Sequence, residues 1–284
     1  MNQDLGLRLR LRPEERAALS LRELYADKGC SFYRMSRFEE YDFYADKKDF
    51  LTSRNILTFT DINGKLMALR PDVTLSIIKH ARDLPGQVQK FFYDEKVYRV
   101  PRNSQTFHEI SQAGIEFIGS LSDKDICEVI ELAVESLHTI SEGRRCVIDI
   151  ADAGRISKLL AQHENKQQIL KCIAEKNIHE LKSLNAPDEI IRLMSCDINK
   201  NPEDILPPEI FDSLRKYRDE LRADYSVISS LNYYNGIVFR GFIEGIPESI
   251  LSGGQYDNML HIMGHDKGSK AIGFAVYLDL IERS

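Results

Sequence analysis

Basic blocks are missing from this chain: 38 Lys and Arg face 44 Asp and Glu, a net charge of −6, and the two signs are interspersed throughout. Without a run of cations to neutralise phosphates, nucleic acid is not expected as a partner. Long hydrophobic runs are missing too. The first residues, MNQDLGLRLRLRPEE, are interrupted by charges at Asp4, Arg8, Arg10 and Arg12, and no later window approaches a membrane-spanning length, so no membrane partner and no export are expected. Cysteine is sparse. The five residues, Cys30, Cys127, Cys146, Cys172 and Cys196, are odd in number and form no CxxC pair, which argues against a disulfide framework and a zinc site. A cytoplasmic location and no metal or cofactor are the corresponding expectations. Repeats and low-complexity segments are also absent. What is present is an ordinary globular composition, 43% hydrophobic and 29% charged over 284 residues, enough for one large core or two modest ones.

Punctuation along the chain places the elements. Pro13 with Glu14 and Glu15, then Ala17, Ala18, Leu21, Leu24 and Tyr25, then Lys28-Gly29, read as a helix with its start and stop. Its apolar stripe suits a core-facing helix. Leu57–Thr60 and Leu66–Leu69 flank Asp61-Ile62-Asn63-Gly64, a hairpin signal that sets Arg70-Pro71-Asp72 just past a strand end. Phe91–Arg99 and Ile115–Gly119 read as strands, Asp123–Thr139 as a helix and Arg145–Ile150 as a buried strand. From about 153 to 222, short helical patterns broken by Pro187, Pro202, Pro207 and Pro208 predict a helical insertion in a single domain spanning 1–284. Strands resume at Tyr225, and a last strand-to-helix pass runs through Ala271–Glu282.

Several short constellations carry polar chemistry. Arg70-Pro71-Asp72-Val73-Thr74 offers a carboxylate and a hydroxyl behind a fixed proline φ, a set able to hold an ammonium or imidazole, or simply a solvated turn. Gln112, Gly114 and Glu116 alternate on a strand and share one face. If that face is buried, Glu116 needs a cationic partner such as histidine; if not, it is a polar outer face. Tyr233-Tyr234 and Gly254 with Tyr256 offer aromatic walls and a close backbone approach, or packing alone.

The stretch YRVPRNSQTFHEISQAGIEFIG, Tyr98–Gly119, resembles the second signature of class II aminoacyl-tRNA synthetases. With ALRPDVT (Ala68–Thr74), LNYYNGIVF (Leu231–Phe239) and SGGQYDNM (Ser252–Met259), the order is similar to that of histidyl-tRNA synthetase over nearly the whole chain. The resemblance implies an α+β class II synthetase-like core, an antiparallel sheet flanked by helices. It implies a histidine site at Asp72, Thr74, Gln112, Glu116, Tyr233, Tyr234, Gly254 and Tyr256, with Arg99 facing a phosphate. It also implies a dimer built partly on the first helix, with Ser36 where the family's interface proline is expected.

The departures fall on the ATP side. Ser229 stands where the family has an arginine two residues before LDYY, Asn232 replaces that motif's aspartate, and His108 aligns with a loop arginine. Leu280 follows Asp279 where an arginine is expected, with Arg283 almost a helical turn further on, and the acidic-arginine pair of the hairpin loop has become Val100-Pro101-Arg102. Since cations around the triphosphate dominate adenylate chemistry, no catalytic residue is expected. Ser284 directly after the third signature predicts no C-terminal anticodon-binding domain. These departures resemble the regulatory subunits of ATP phosphoribosyltransferase, which implies a short-form catalytic phosphoribosyltransferase as partner and a role in histidine biosynthesis. A truncated paralogue that still adenylates an amino acid, or a scaffold with a vestigial pocket, are the alternatives.

Overall fold

The structure, a computed structural model, describes residues 11–47, 51, 55–100, 104–198, 200, 205–230 and 233–282. Helix α1 (Pro13–Asp27) opens with proline in its first turn and two glutamates, the charge favoured at a helix N-terminus. It ends at Gly29, whose φ of 78° is a conformation glycine adopts without strain. Ala17, Leu21 and Tyr25 are buried, and the Tyr25 hydroxyl meets Ser136 Oγ at 3.0 Å. The α1 stripe is therefore buried in the core of its own chain.

After β1 (Ser31–Phe32), β2 (Phe38–Glu40) and helix α2 (Tyr41–Ala45), the hairpin β3 (Thr58–Thr60) and β4 (Leu66–Leu69) forms as its Asn-Gly turn requires. Asp61 N donates to the Lys65 carbonyl at 2.9 Å, and Gly64 sits at φ 81°. These three short strands make a small sheet in the order β2-β4-β3. Helix α3 (Thr74–His80) follows directly, then the long hairpin of β5 (Val88–Arg99) and β6 (His108–Gly119). Helix α4 (Asp123–Ile140) begins with a capping box, in which Ser122 and Asp125 satisfy each other's backbone N–H groups. Strand β7 (Cys146–Asp152) leads into helices α5 (Ala153–Leu159), α6 (Lys166–Ala174), α7 (Ile178–Ser183), α8 (Asp188–Leu193) and α9 (Pro208–Leu214).

One departure from the sequence reading lies at the end of that helical stretch. Leu221–Ala223 forms a strand, β8, parallel to β7, tied there by the bidentate Arg222–Asp149 ion pair at 2.6 and 2.9 Å. Three residues are too few to show a period, so only the pairing partner reveals the strand. Strands β9 (Ile237–Ile243) and β10 (Leu251–Gln255), helix α10 (Asp257–Ile262), β11 (Lys270–Tyr277) and helix α11 (Asp279–Glu282) complete the chain.

The main sheet has the order β1-β5-β6-β11-β10-β9-β7-β8, antiparallel except for the two edge pairings. Each face carries its own core. Tyr25, Phe92, Ile115, Phe117 and the apolar side of α4 pack on one face; Tyr44, Leu75, Ile77, Tyr93, Val97, Tyr256 and Met259 pack on the other. No helix among the described residues is long and apolar enough to cross a membrane.

Arg70 joins the small sheet to the large one. Its guanidinium is fully buried and donates to the Ser36 carbonyl at 2.8 Å, the Lys96 carbonyl at 2.7 Å and Glu95 Oε2 at 2.8 Å. Replacing it by methionine would leave those acceptors, one of them a carboxylate, without their donor. Arg70→Met is expected to lower stability by about 3–5 kcal/mol, read as a shifted urea midpoint. A loss below roughly 1 kcal/mol would show that water reaches and satisfies these groups.

Candidate functional site

Directly paired residues of an antiparallel sheet share a face, so the register lays out the floor of a pocket. Tyr93, Gly114, Ala275, Ser252 and Arg240 form one cross-strand row from β5 to β9. Phe91, Glu116, Gly273, Gly254 and Val238 form the next row. Small residues occupy the middle of both rows. A Cβ on Gly273 would run into Glu116 Oε2 and the Ile115 carbonyl, and one on Gly114 would run into the Tyr93 hydroxyl. The roof comes from α3, Tyr233-Tyr234 and Tyr256. The cavity between encloses about 630 Å³, within the range of small-molecule sites.

Glu116 is only 2% exposed. Thr74 Oγ1 donates to its Oε1 at 2.6 Å, and the Tyr256 hydroxyl donates to its Oε2. Burial pushes its carboxyl up to about 8; the two hydroxyls pull against that shift, and the charge of Asp72 adds to it. The pocket thus holds a neutral carboxylic acid at neutral pH.

Asp72 lies two residues before α3 and accepts from Leu75 N at 2.9 Å, a contact that fixes the helix start over the floor. Its carboxyl is also held above the usual range by burial, with Arg99 and Arg70 among the groups opposing the shift. The phenols of Tyr93, Tyr233 and Tyr256 are all driven well above 10 by burial, so they serve as neutral hydroxyls. Tyr233 and Tyr234 stack edge-on with centroids 4.8 Å apart, and Tyr233 reaches Tyr256 at 5.8 Å.

Asp72, Thr74, Arg99, Gln112, Glu116, Tyr233, Tyr234 and Tyr256 all line this cavity. Gly254 does not. A Cβ there would stand 2.8 Å from Tyr234 Cδ1 and 2.6 Å from the Ile237 carbonyl, so its bare backbone seats the tyrosine. Sequence reasoning missed Tyr93, Arg240, Ser252 and Tyr277. The signal existed for Arg240, which alternates with Val238 on a strand, but its neighbours across the sheet come from distant segments.

On the opposite side of the site, His108 turns back to its own loop, its Nε2 lying 3.1 Å from Ser104 Oγ and 3.2 Å from Thr106 Oγ1. Leu280 packs against the core, and Asp279 accepts from Ser111 N at 3.0 Å. The side chain of Ser229, and Pro101, Arg102, Asn232 and Arg283, lie outside the described residues.

The layout is that of a class II synthetase catalytic core. A sequence profile described as histidyl-tRNA synthetase matches residues 7–205 and 208–281. The ATP phosphoribosyltransferase regulatory subunit of Clostridium kluyveri is 30% identical, the match covering 93% of this chain and 76% of that protein. The one from Oceanobacillus iheyensis is 28% identical over 85% of this chain, which spans 66% of that protein's length. Among solved structures, an ATP phosphoribosyltransferase regulatory subunit/histidyl-tRNA synthetase from Bacillus halodurans superposes with a TM-score of 0.78 at 21% identity, over 95% of this chain and 78% of that one. A chain of the ATP phosphoribosyl transferase complex from Thermotoga maritima gives 0.73 at 19% identity, over 92% and 96%. The chain belongs to the histidyl-tRNA synthetase-like family that includes the regulatory subunits of ATP phosphoribosyltransferase.

The buried acid leaves a pH signature. Folded Glu116 keeps its proton up to about pH 8, whereas an unfolded glutamate loses it near ~4.3. Between these values the folded state binds more protons than the unfolded one, so stability falls as pH rises through that window and levels off above it. Urea unfolding at about pH 5 and pH 8 is expected to show a loss on the order of a few kcal/mol in the wild type. The neutral isostere in Glu116→Gln removes that contribution; equal pH slopes in the two proteins would contradict the assignment.

Proposed function

We propose that this chain is a non-catalytic regulatory subunit of ATP phosphoribosyltransferase in histidine biosynthesis. In this reading it supports a short-form catalytic subunit and its feedback inhibition, and it takes histidine in the pocket floored by Glu116. The observation that carries the reading is the unequal pocket. Its amino-acid end is furnished with Asp72, Thr74, Gln112, Glu116, Tyr233 and Tyr256, while the positions where synthetases place phosphate-binding arginines hold His108, bound to its loop, and Leu280, partly buried against the core. Among the described residues the pocket-lining cations are Arg99 and Arg240. Adenylate formation needs several cations around a triphosphate, and losing even one oxyanion-type contact costs about 3–4 kcal/mol of barrier. The names of the Clostridium and Oceanobacillus relatives support the regulatory assignment.

Binding of a cationic ligand changes the meaning of Glu116. An imidazolium placed against it favours the carboxylate, and because histidine's imidazole is mostly neutral at neutral pH, the proton that Glu116 gives up passes to the ligand. Calorimetric titration of histidine is therefore expected to give heats that depend little on the buffer's ionisation enthalpy at about pH 7.5 and more strongly at about pH 5.5, where the ligand arrives charged. Glu116→Ala is expected to weaken binding by about 2–4 kcal/mol, 30-fold or more, and ATP with magnesium to add little. Absence of heat from the wild type up to millimolar histidine would replace this reading by a scaffold with a closed, vestigial pocket.

The partner assignment is tested separately. Mixed with a short-form ATP phosphoribosyltransferase, the chain is expected to co-elute with it and raise its turnover, and to give no amino-acid-dependent pyrophosphate exchange alone. Failure to associate at any salt concentration would sink the regulatory reading; exchange activity would establish an adenylating enzyme instead. In the same experiment, sedimentation of the isolated chain reports whether it self-associates, as the homodimer expectation requires. A stable micromolar monomer would end that expectation.

A further inference from the structure

The helix that roofs the pocket is held at both ends. At its start Thr74 bonds to Glu116, and in its last turn the Ile78 carbonyl lies 2.9 Å from Nε2 of His265. His265 belongs to the loop between α10 and β11, where its backbone N–H donates to the Leu260 carbonyl at 3.0 Å. Its other ring nitrogen, Nδ1, stands 3.1 Å from Asp83 Oδ1, in the segment that leaves α3. The imidazole between helix end and carboxylate is 9% exposed.

Both of its partners are acceptors. A carbonyl oxygen has no proton to give, and the Asp83 carboxylate already receives the Ser269 hydroxyl at 2.9 Å and the Asp266 N–H at 3.3 Å. Against the opposing effect of burial, the hydrogen bonds from Ser269, His265 and Asp266 hold the Asp83 carboxyl below the usual range, so it too accepts only. A neutral imidazole has one N–H and satisfies one of the two oxygens; both bonds exist only when both nitrogens carry protons. The two bonds are not equally easy to give up. A bare Nδ1 would set its lone pair against a full negative charge, a bare Nε2 against a neutral carbonyl, so the charge-assisted bond to Asp83 outlasts the one to Ile78. Other charged and titratable groups on the surrounding elements are engaged elsewhere or exposed. Lys79 pairs with Glu39 at 2.8 Å, His80 Nδ1 lies 2.8 Å from the Ser76 carbonyl, and Asp257 accepts from Ala271 N at 2.8 Å. Arg82, His261, Asp266, Lys267 and Lys270 are exposed.

We propose that His265 is a proton-operated latch on the roof helix: as an imidazolium it ties the loop before β11 to the last turn of α3, and on losing a proton it keeps Asp83 and releases Ile78. The bond to α3 requires the second proton, so the latch is closed at low pH and opens as pH rises. It rests on these contacts and not on the identity of a pocket ligand, so it stands or falls apart from the amino-acid reading above.

NMR of the ring nitrogens in the full chain, with His265 assigned through the backbone, reads the latch directly. Both nitrogens are expected to carry protons at about pH 5.5, and Nε2 alone to lose its proton by about pH 8. Amide hydrogen exchange reads the helix. The Ala81 N–H, which donates to the Ile77 and Ile78 carbonyls at 2.9 and 3.2 Å, reports on the last turn of α3. Its protection, corrected for the intrinsic exchange rate, is expected to fall about tenfold over that pH span in the wild type. His265→Gln offers the Ile78 carbonyl an amide N–H at every pH, so there the change is expected to stay below about twofold. Glu116 is intact in both proteins, so any pH effect that enters from the helix start appears equally in each. A bare ring nitrogen at about pH 5.5, loss of the proton from Nδ1 instead of Nε2, or equal pH dependence of Ala81 in the two proteins would each overturn the latch. If His265→Gln fails to fold, the ring nitrogens of the wild type decide alone.

Discussion

The carboxyl group of Glu116, almost sealed from water and met by hydroxyls rather than by a cation, is the constraint from which the rest of the pocket follows. An ionised carboxylate there would cost several kcal/mol of lost hydration, so the group answers by keeping its proton. Keeping it in place requires bare backbone opposite, which Gly273 provides, and two donors aimed at its oxygens. One donor, Thr74, is the first residue of α3, so the position of that helix becomes part of the site. Asp72 accepts from Leu75 N in the first turn of α3, and Arg70 two residues earlier is anchored to Ser36, Glu95 and Lys96. A line of polar contacts thus runs from a clamp between two sheets, through the start of a seven-residue helix, to a buried acid.

That line explains why a short helix can carry precise chemistry. Seven residues have little helical stability of their own in water, where nucleation is unfavourable and isolated helices need roughly 12–15 residues. Here the order comes from the burial of Leu75, Ile77 and Ile78 in the core on the pocket side of the sheet, and from the Asp72 carboxylate at Leu75 N. The fully buried Arg70 forms an ion pair whose attraction roughly balances its desolvation cost, while removing either partner strands the other. What it supplies is a fixed relation between the hairpin sheet and β5, without which Asp72 and Thr74 would have no defined height above Glu116.

Much of this was legible in the sequence because the informative residues sit in runs whose period shows their face. Gln112, Gly114 and Glu116 alternate along one strand, and Asp72 and Thr74 bracket a proline-terminated turn; the structure places all but Gly254 of the expected ligand residues on one cavity. The hairpin at Asn63-Gly64, the helix at Pro13 and the capped helix at Ser122 follow from local rules and formed within a few residues of the expected limits. Gly254 shows what the sequence leaves open: a missing Cβ signals a close approach but not what approaches, and here Tyr234 is one of the groups that does. Tyr93, Ser252, Tyr277 and Arg240 were invisible as a set because their proximity depends on cross-strand register among segments up to 184 residues apart. Alternation tells which face a residue takes, but not which strand lies beside it.

A carboxyl group held neutral by its surroundings answers to charge through its proton. A cation set against it would favour the carboxylate, whereas hydroxyl donors alone do not remove the cost of burying that charge. Because Thr74 reaches Glu116 from the first turn of α3, a change in the protonation of this acid also alters the hydrogen bond that holds the helix over the floor. The protonation of Glu116 and the position of the pocket roof are therefore coupled through a single carboxyl group.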